Sequence, residues 1–73
     1  MNPKFNSGDR VYAKPCERNG TVTKVEWLEE MILADFSVPE GYIYWIKLDG
    51  KDSEPQGFRD RALEFSDRQN LNV

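Results

Sequence analysis

Tyr42-Ile43-Tyr44-Trp45-Ile46-Lys47-Leu48 reads as a β-strand along its whole length. Aromatic and β-branched side chains dominate it, and a turn signal, Asp49-Gly50, closes it. Side chains alternate across a strand, so Tyr42, Tyr44, Ile46 and Leu48 share one face, and Ile43, Trp45 and Lys47 share the other. The first set is wholly large and is the natural core face. The second leaves Ile43 and Trp45 outward, a costly position unless something covers them.

Working back from this strand, Gly8-Asp9 is a turn, after which Val11 and Ala13 alternate inward and Tyr12 and Lys14 outward. Pro15 removes a ladder donor and ends that strand. Arg18-Asn19-Gly20 is expected to form a tight turn, with Asn-Gly supplying left-handed backbone. A second strand then spans about 21–27. Val22 and Val25 are three apart, so strict alternation cannot bury both, and a β-bulge or sharp bend is expected between them. Working forward, residues 51–56 are polar and suit a loop or sheet edge. Phe58 returns to the core on a fourth strand, 59–62 suit one tight helical turn, and Leu63-Glu64-Phe65 is a short fifth strand. Phe5 is placed to tuck under the sheet. Phe58 and Phe65 are expected to join Tyr42 and Tyr44 inside.

The reading is therefore all-β: a small five-stranded barrel formed by one domain over 1–73. Its core spans 5–65, with 1–4 and 67–73 loosely held. Residues 28–41 form an inserted segment that admits two structures. Leu28, Met31, Ile32 and Asp35 fall at helical spacing, which allows one or two helical turns. Met31 to Phe36 can equally prolong the second strand into a hairpin arm. An isolated helix this short is marginal, so the strand extension is favoured. Pro39-Glu40-Gly41 is a turn in either case.

Size and composition narrow the function classes. A 73-residue chain buries only about 60% of its unfolded surface, so its core is marginal and association with another chain would help it. The net charge is −3 but unevenly spread. Residues 1–24 carry Lys4, Arg10, Lys14, Arg18 and Lys24 against Asp9 and Glu17, a balance of +3. Residues 25–40 carry Glu26, Glu29, Glu30, Asp35 and Glu40 with no base, a balance of −5. That acidic middle repels phosphate and disfavours general nucleic-acid binding. There is no histidine, and Cys16 is the sole cysteine. A disulfide within the chain and a Cys/His metal site are both excluded by count. No apolar run approaches a membrane span and no signal-peptide pattern opens the chain, so a cytoplasmic location is expected. Cys16 reads as a loop residue.

Catalytic signatures are missing from the sequence. Ser7, Ser37, Ser53 and Ser66 lie in no nucleophile-elbow pattern, adjacent acids such as Glu29-Glu30 rarely converge on one substrate, and no phosphate-cradling glycine loop is present. The best functional candidates are aromatic. If Tyr42, Tyr44, Phe58 and Phe65 fill the core, then Trp27, Met31, Ile32, Leu33, Phe36 and Trp45 are left to form a patch suited to a protein partner or to self-association. The bland alternative folds 28–41 back over Trp45 as a local minicore. A second candidate is a basic strip, Arg10, Tyr12, Lys14, Arg18 and Lys24, in which an aromatic ring could stack on a base of a nucleic acid.

Gly8-Asp9-Arg10-Val11, then Gly20-Thr21-Val22-Thr23-Lys24-Val25, then Trp45-Ile46-Lys47-Leu48-Asp49-Gly50 and a closing Ala62-Leu63-Glu64 resemble the SH3-like barrels of small bacterial and phage proteins. This family spans many functions, so the resemblance implies a fold rather than an activity. A narrower resemblance is to the plasmid-borne type II dihydrofolate reductases, SH3-like tetramers around a central pore. Gly8-Asp9-Arg10-Val11 is similar to their opening strand, Pro39-Glu40-Gly41-Tyr42 to their hairpin entry, and Gln56 falls at their pore glutamine. Only that reading implies NADPH as a cofactor; otherwise none is expected. The chain departs from the pattern, with Pro55-Gln56-Gly57-Phe58 in place of Val-Gln-Ile-Tyr and Ala13 in place of the pore lysine. The expectation is thus a non-catalytic protein-binding or self-associating module.

Overall fold

The computed structural model describes residues 2–50, 52 and 54–66. It is all-β. The strands are β1 (Arg10–Ala13), β2 (Arg18–Leu28), β3 (Met31–Ile32), β4 (Ser37–Val38), β5 (Gly41–Leu48), β6 (Gln56–Phe58) and β7 (Leu63–Phe65). Five of them form one antiparallel sheet in the order β6-β5-β2-β1-β7, and β3 and β4 pair separately. The sheet is open: β6 and β7 are its edges and are not paired with each other. The expectation of a closed barrel is corrected to a single open sheet. Closure would require β6 and β7 to meet, and each is three residues long. Expectations about 67–73 lie outside the described residues.

The core lies on one face of this sheet. Val11 and Ala13 of β1, Val22 of β2, Tyr44, Ile46 and Leu48 of β5, and Leu63 of β7 are buried together. Phe5 is fully buried among them and is the lid of the concave face. Its ring meets Tyr44 edge-on at 5.2 Å and Phe65 at 4.7 Å, while the Lys4 backbone N–H donates to the Tyr44 hydroxyl at 2.9 Å. The segment before β1 is therefore tied to the sheet at Lys4 and Phe5. Phe65 faces the core but stays half-exposed, because it sits on an edge strand with only Phe5 above it. Tyr42 and Phe58 are half-buried at the margin of the core.

The spacing of Val22 and Val25 has the structural meaning it suggested. The β2–β5 ladder shifts register between Val22 and Lys24: Val22 faces Ile46, Lys24 faces Trp45, and Val25 faces Tyr44. Thr23 is the inserted residue, and its hydroxyl donates to the Trp45 carbonyl at 3.0 Å. The bulge keeps both valines on the core side and adds local twist.

The expected turn at Arg18-Asn19-Gly20 is a correction. Those residues begin β2 and pair with β1, Ala13 facing Arg18 and Val11 facing Gly20. The chain reverses in a 3-10 turn, Lys14–Cys16, that starts with Pro15 near its head and ends at Glu17 in left-handed backbone (φ 51°). Gly20 is needed for space instead: a Cβ there would lie 2.6 Å from Ile46 Cγ2 and 2.8 Å from the Lys47 carbonyl oxygen. A second 3-10 turn, Asp60–Ala62, precedes β7 as the sequence suggested.

Beyond the core, β2 and β5 continue outward as an arm. Trp27 faces Tyr42 and Leu28 faces Gly41, and after a gap Met31 faces Val38 and Ile32 faces Ser37. The register is the same on both sides of the gap. The ladder breaks where Glu29-Glu30 oppose Pro39-Glu40: proline has no N–H to give, and like charges face each other. The Leu33 N–H donates to the Phe36 carbonyl at 2.8 Å and closes the tip around Ala34-Asp35. No helix forms in 28–41, in accord with the strand-extension reading. The molecule is elongated as a result, measuring 49 × 29 × 17 Å.

Candidate functional site

Register decides which arm residues share a face. Val25 and Tyr44 both pack on the core, and two residues outward Trp27 and Tyr42 follow on the same side. Carrying the alternation onward gives Met31 with Val38, and then Leu33 with Phe36 at the tip. The core face thus continues outward along the arm as a row of exposed apolar side chains, interrupted after Trp27 and Tyr42 by Glu29 and Glu40, which the same register places on this face. Phe36 is 61% exposed, Met31 53% and Trp27 45%. Ile32 is the most exposed large hydrophobic side chain among the described residues at 78%, and by register it lies on the opposite face with Ser37.

At the root of the arm this row borders a cleft of about 400 Å³. Trp27 and Tyr42 form its aromatic wall, their rings edge-to-face with centroids 5.0 Å apart. Lys4, Arg59 and Arg61 bring positive charge to it, against Glu40 and Asp60. Arg59 is positioned by the arm itself: its guanidinium donates to the Pro39 carbonyl at 3.0 Å. The cleft was not anticipated from sequence. Its cations come from the chain's two ends, before β1 and in the second 3-10 turn, and only the fold brings them to Trp27.

Trp45 does not join this patch. It lies on the reverse face with Ile43, where both rest over Gly57 of β6. A Cβ on Gly57 would lie 2.8 Å from Ile43 Cδ1 and 3.3 Å from Trp45 Cζ3. The Trp45 indole N–H donates to Glu26 Oε1 at 3.0 Å. The cover that Ile43 and Trp45 needed is thus their packing onto a bare glycine, and not a folded-back 28–41 segment. The expected cluster splits into an inner strip of Trp27, Met31, Leu33 and Phe36, a lone Ile32, and a separate, half-buried Trp45.

Two of the four bases in the basic strip, Arg10 and Lys24, are ion-paired. Arg10 forms a bidentate pair with Asp49, Nη1 donating to Oδ1 at 2.9 Å, and also donates to Thr21 Oγ1 at 2.8 Å. Arg18 donates to the Asp49 carbonyl at 2.9 Å, and Lys24 lies 3.8 Å from Glu26. The hydrogen bond from Arg10 holds the Asp49 carboxyl below its ordinary value, and the same bond raises Arg10. Tyr12 and Lys14 are left as the remaining members, on β1 and the first 3-10 turn. Gln56 is exposed on edge strand β6, facing Ile46. Cys16 is half-buried against the core. Among the described residues no three His, Cys, Asp or Glu side chains converge as a metal site, and no helix is long and apolar enough to cross a membrane. No family model matches the chain, and neither a curated protein nor a solved structure does so.

Proposed function

We propose that this chain is a non-catalytic binding module that works by burying the inner strip of its arm against a protein surface, a second copy of itself being the simplest partner. The carrying observation is the row of exposed apolar side chains on the prolonged core face: Trp27 at the root and Met31, Leu33 and Phe36 beyond Glu29 and Glu40. A small domain gains most from covering such a surface, since each large side chain taken fully out of water contributes about 1.5–3 kcal/mol. The body of the molecule is the scaffold that holds this arm. Its strand order, in which the last strand returns beside the first, supports kinship with SH3-like barrels whose edges have not closed. Light scattering over a rising concentration series tests the reading. The expected result is a concentration-dependent dimer that Met31→Glu and Phe36→Glu dissociate, while Ile32→Glu on the other face leaves it. A monomer throughout, with no partner recovered through the arm, contradicts it.

A further inference from the structure

The arm tip presents Phe36 and Asp35, and the cleft at its root presents an aromatic wall and three bases, yet one chain cannot bring its own tip to its own root. From Leu28 to the tip is about 20 Å of extended chain directed away from the body. We infer that the cleft of one copy receives the arm tip of a second copy, Phe36 entering against Trp27 and Tyr42 while Asp35 meets Arg61.

The inference rests on the proposed self-association and adds its receptor. The arm carries Glu29, Glu30 and Asp35 with no base, and Asp35 is the one at its tip. The cleft carries Lys4, Arg59 and Arg61 against Glu40 and Asp60, an excess of one positive charge. Among the described residues Arg61 has no hydrogen bond or ion pair, and the Lys4 ammonium has only the Phe5 ring at 5.4 Å. Those charges are therefore available to an acidic visitor. The apolar part matches as well, because Phe36 is exposed at the tip and Trp27 is exposed at the root beside a half-buried Tyr42. A cleft of about 400 Å³ accommodates a phenyl ring with a neighbouring side chain. A two-fold axis between antiparallel arms sets each tip at the other's root. Both clefts are then filled, a closed arrangement that leaves no site to propagate. Each site is incomplete without the partner copy.

The test is a charge exchange read by sedimentation velocity as the dimer dissociation constant. Arg61→Glu and Asp35→Lys singly should each weaken the dimer about tenfold, since like charges then meet across the contact. The double variant Asp35→Lys/Arg61→Glu should return to within about threefold of the original, because the pair is restored in reverse. Trp45→Phe leaves Trp27 as the sole indole, so its emission should shift to shorter wavelength as the dimer forms. A dimer indifferent to both single changes, or a double variant no better than the singles, overturns the cleft as receptor while self-association through the strip still stands. Absence of any dimer overturns both. Growth into species beyond the dimer overturns the reciprocal two-fold arrangement.

Discussion

Phe5 shows how much one residue can carry in a chain this short. It precedes the first strand, yet it seals the concave face against Tyr44 and Phe65. Phe5→Ala should cost about 3–5 kcal/mol by denaturant titration with little change in slope, a large share of a small domain's stability. A loss below about 1 kcal/mol would show that another group covers the core. Asp49 belongs to the same scale. Its carboxyl is lowered by the Arg10 hydrogen bond, so the stability it contributes is present above the ordinary carboxylate range and is lost as pH falls through the lowered value. The pair is exposed, so the amount is within about 1 kcal/mol. Asp49→Asn should remove that slope from the acid limb of a thermal-denaturation profile; an unchanged limb would assign it to other carboxylates. Single residues were unevenly legible. Phe5 and Tyr44 could be placed inward by hydrophobicity and alternation. Gly20 could not be read correctly, because Asn-Gly has the same letters whether it turns the chain or makes room for Ile46. That distinction depends on a strand remote in sequence.

At the scale of elements, the β2–β5 pair does most of the work, and its features follow from two local signals. The three-residue spacing of Val22 and Val25 forces the bulge at Thr23, and Pro39 opposite Glu30 interrupts the ladder, making the arm a jointed hairpin. The first signal is legible because a bulge is the way to bury both valines. The arm was legible only as one of two possibilities, since 28–36 satisfies helical and extended patterns equally. Pairing of Leu28 with β5 and of β3 with β4, in constant register, resolves it in favour of strands, an effect that local periodicity does not contain. Because the arm lies outside the core, replacing 29–40 by Asn-Gly should leave the sheet folded: a two-residue turn then joins Leu28 directly to Gly41. Circular dichroism should show a cooperative melt within a few degrees of the intact chain. Loss of the folded signal would mean that the arm is structural. Gly57→Val tests the reverse face, where the added side chain displaces Ile43 and Trp45 and should destabilise by about 1–3 kcal/mol.

The whole molecule is an open sheet with a lidded core at one end and an exposed arm at the other, acidic along the arm and with three bases against two acids around the cleft. The all-β class and the five main strands could be read from alternation and turn residues. Closure into a barrel could not, because it depends on whether two three-residue edges meet, and nothing in either edge specifies a partner. The patch was legible as a surplus of large apolar residues, but its division between two faces required the register. The opposed charges also set how association responds to the medium: raising salt should weaken the dimer by screening the tip-to-cleft attraction while leaving the apolar part intact. Sedimentation equilibrium across a salt series reads this, and a dimer strengthened by salt at every step would mark a purely apolar interface. The most direct test of the central claim is sedimentation equilibrium of the intact chain beside the chain with 29–40 replaced by Asn-Gly. The account predicts a dimer for the first and a folded monomer for the second. An intact chain that stays monomeric to millimolar concentration, or an armless chain that dimerises equally well, would contradict it.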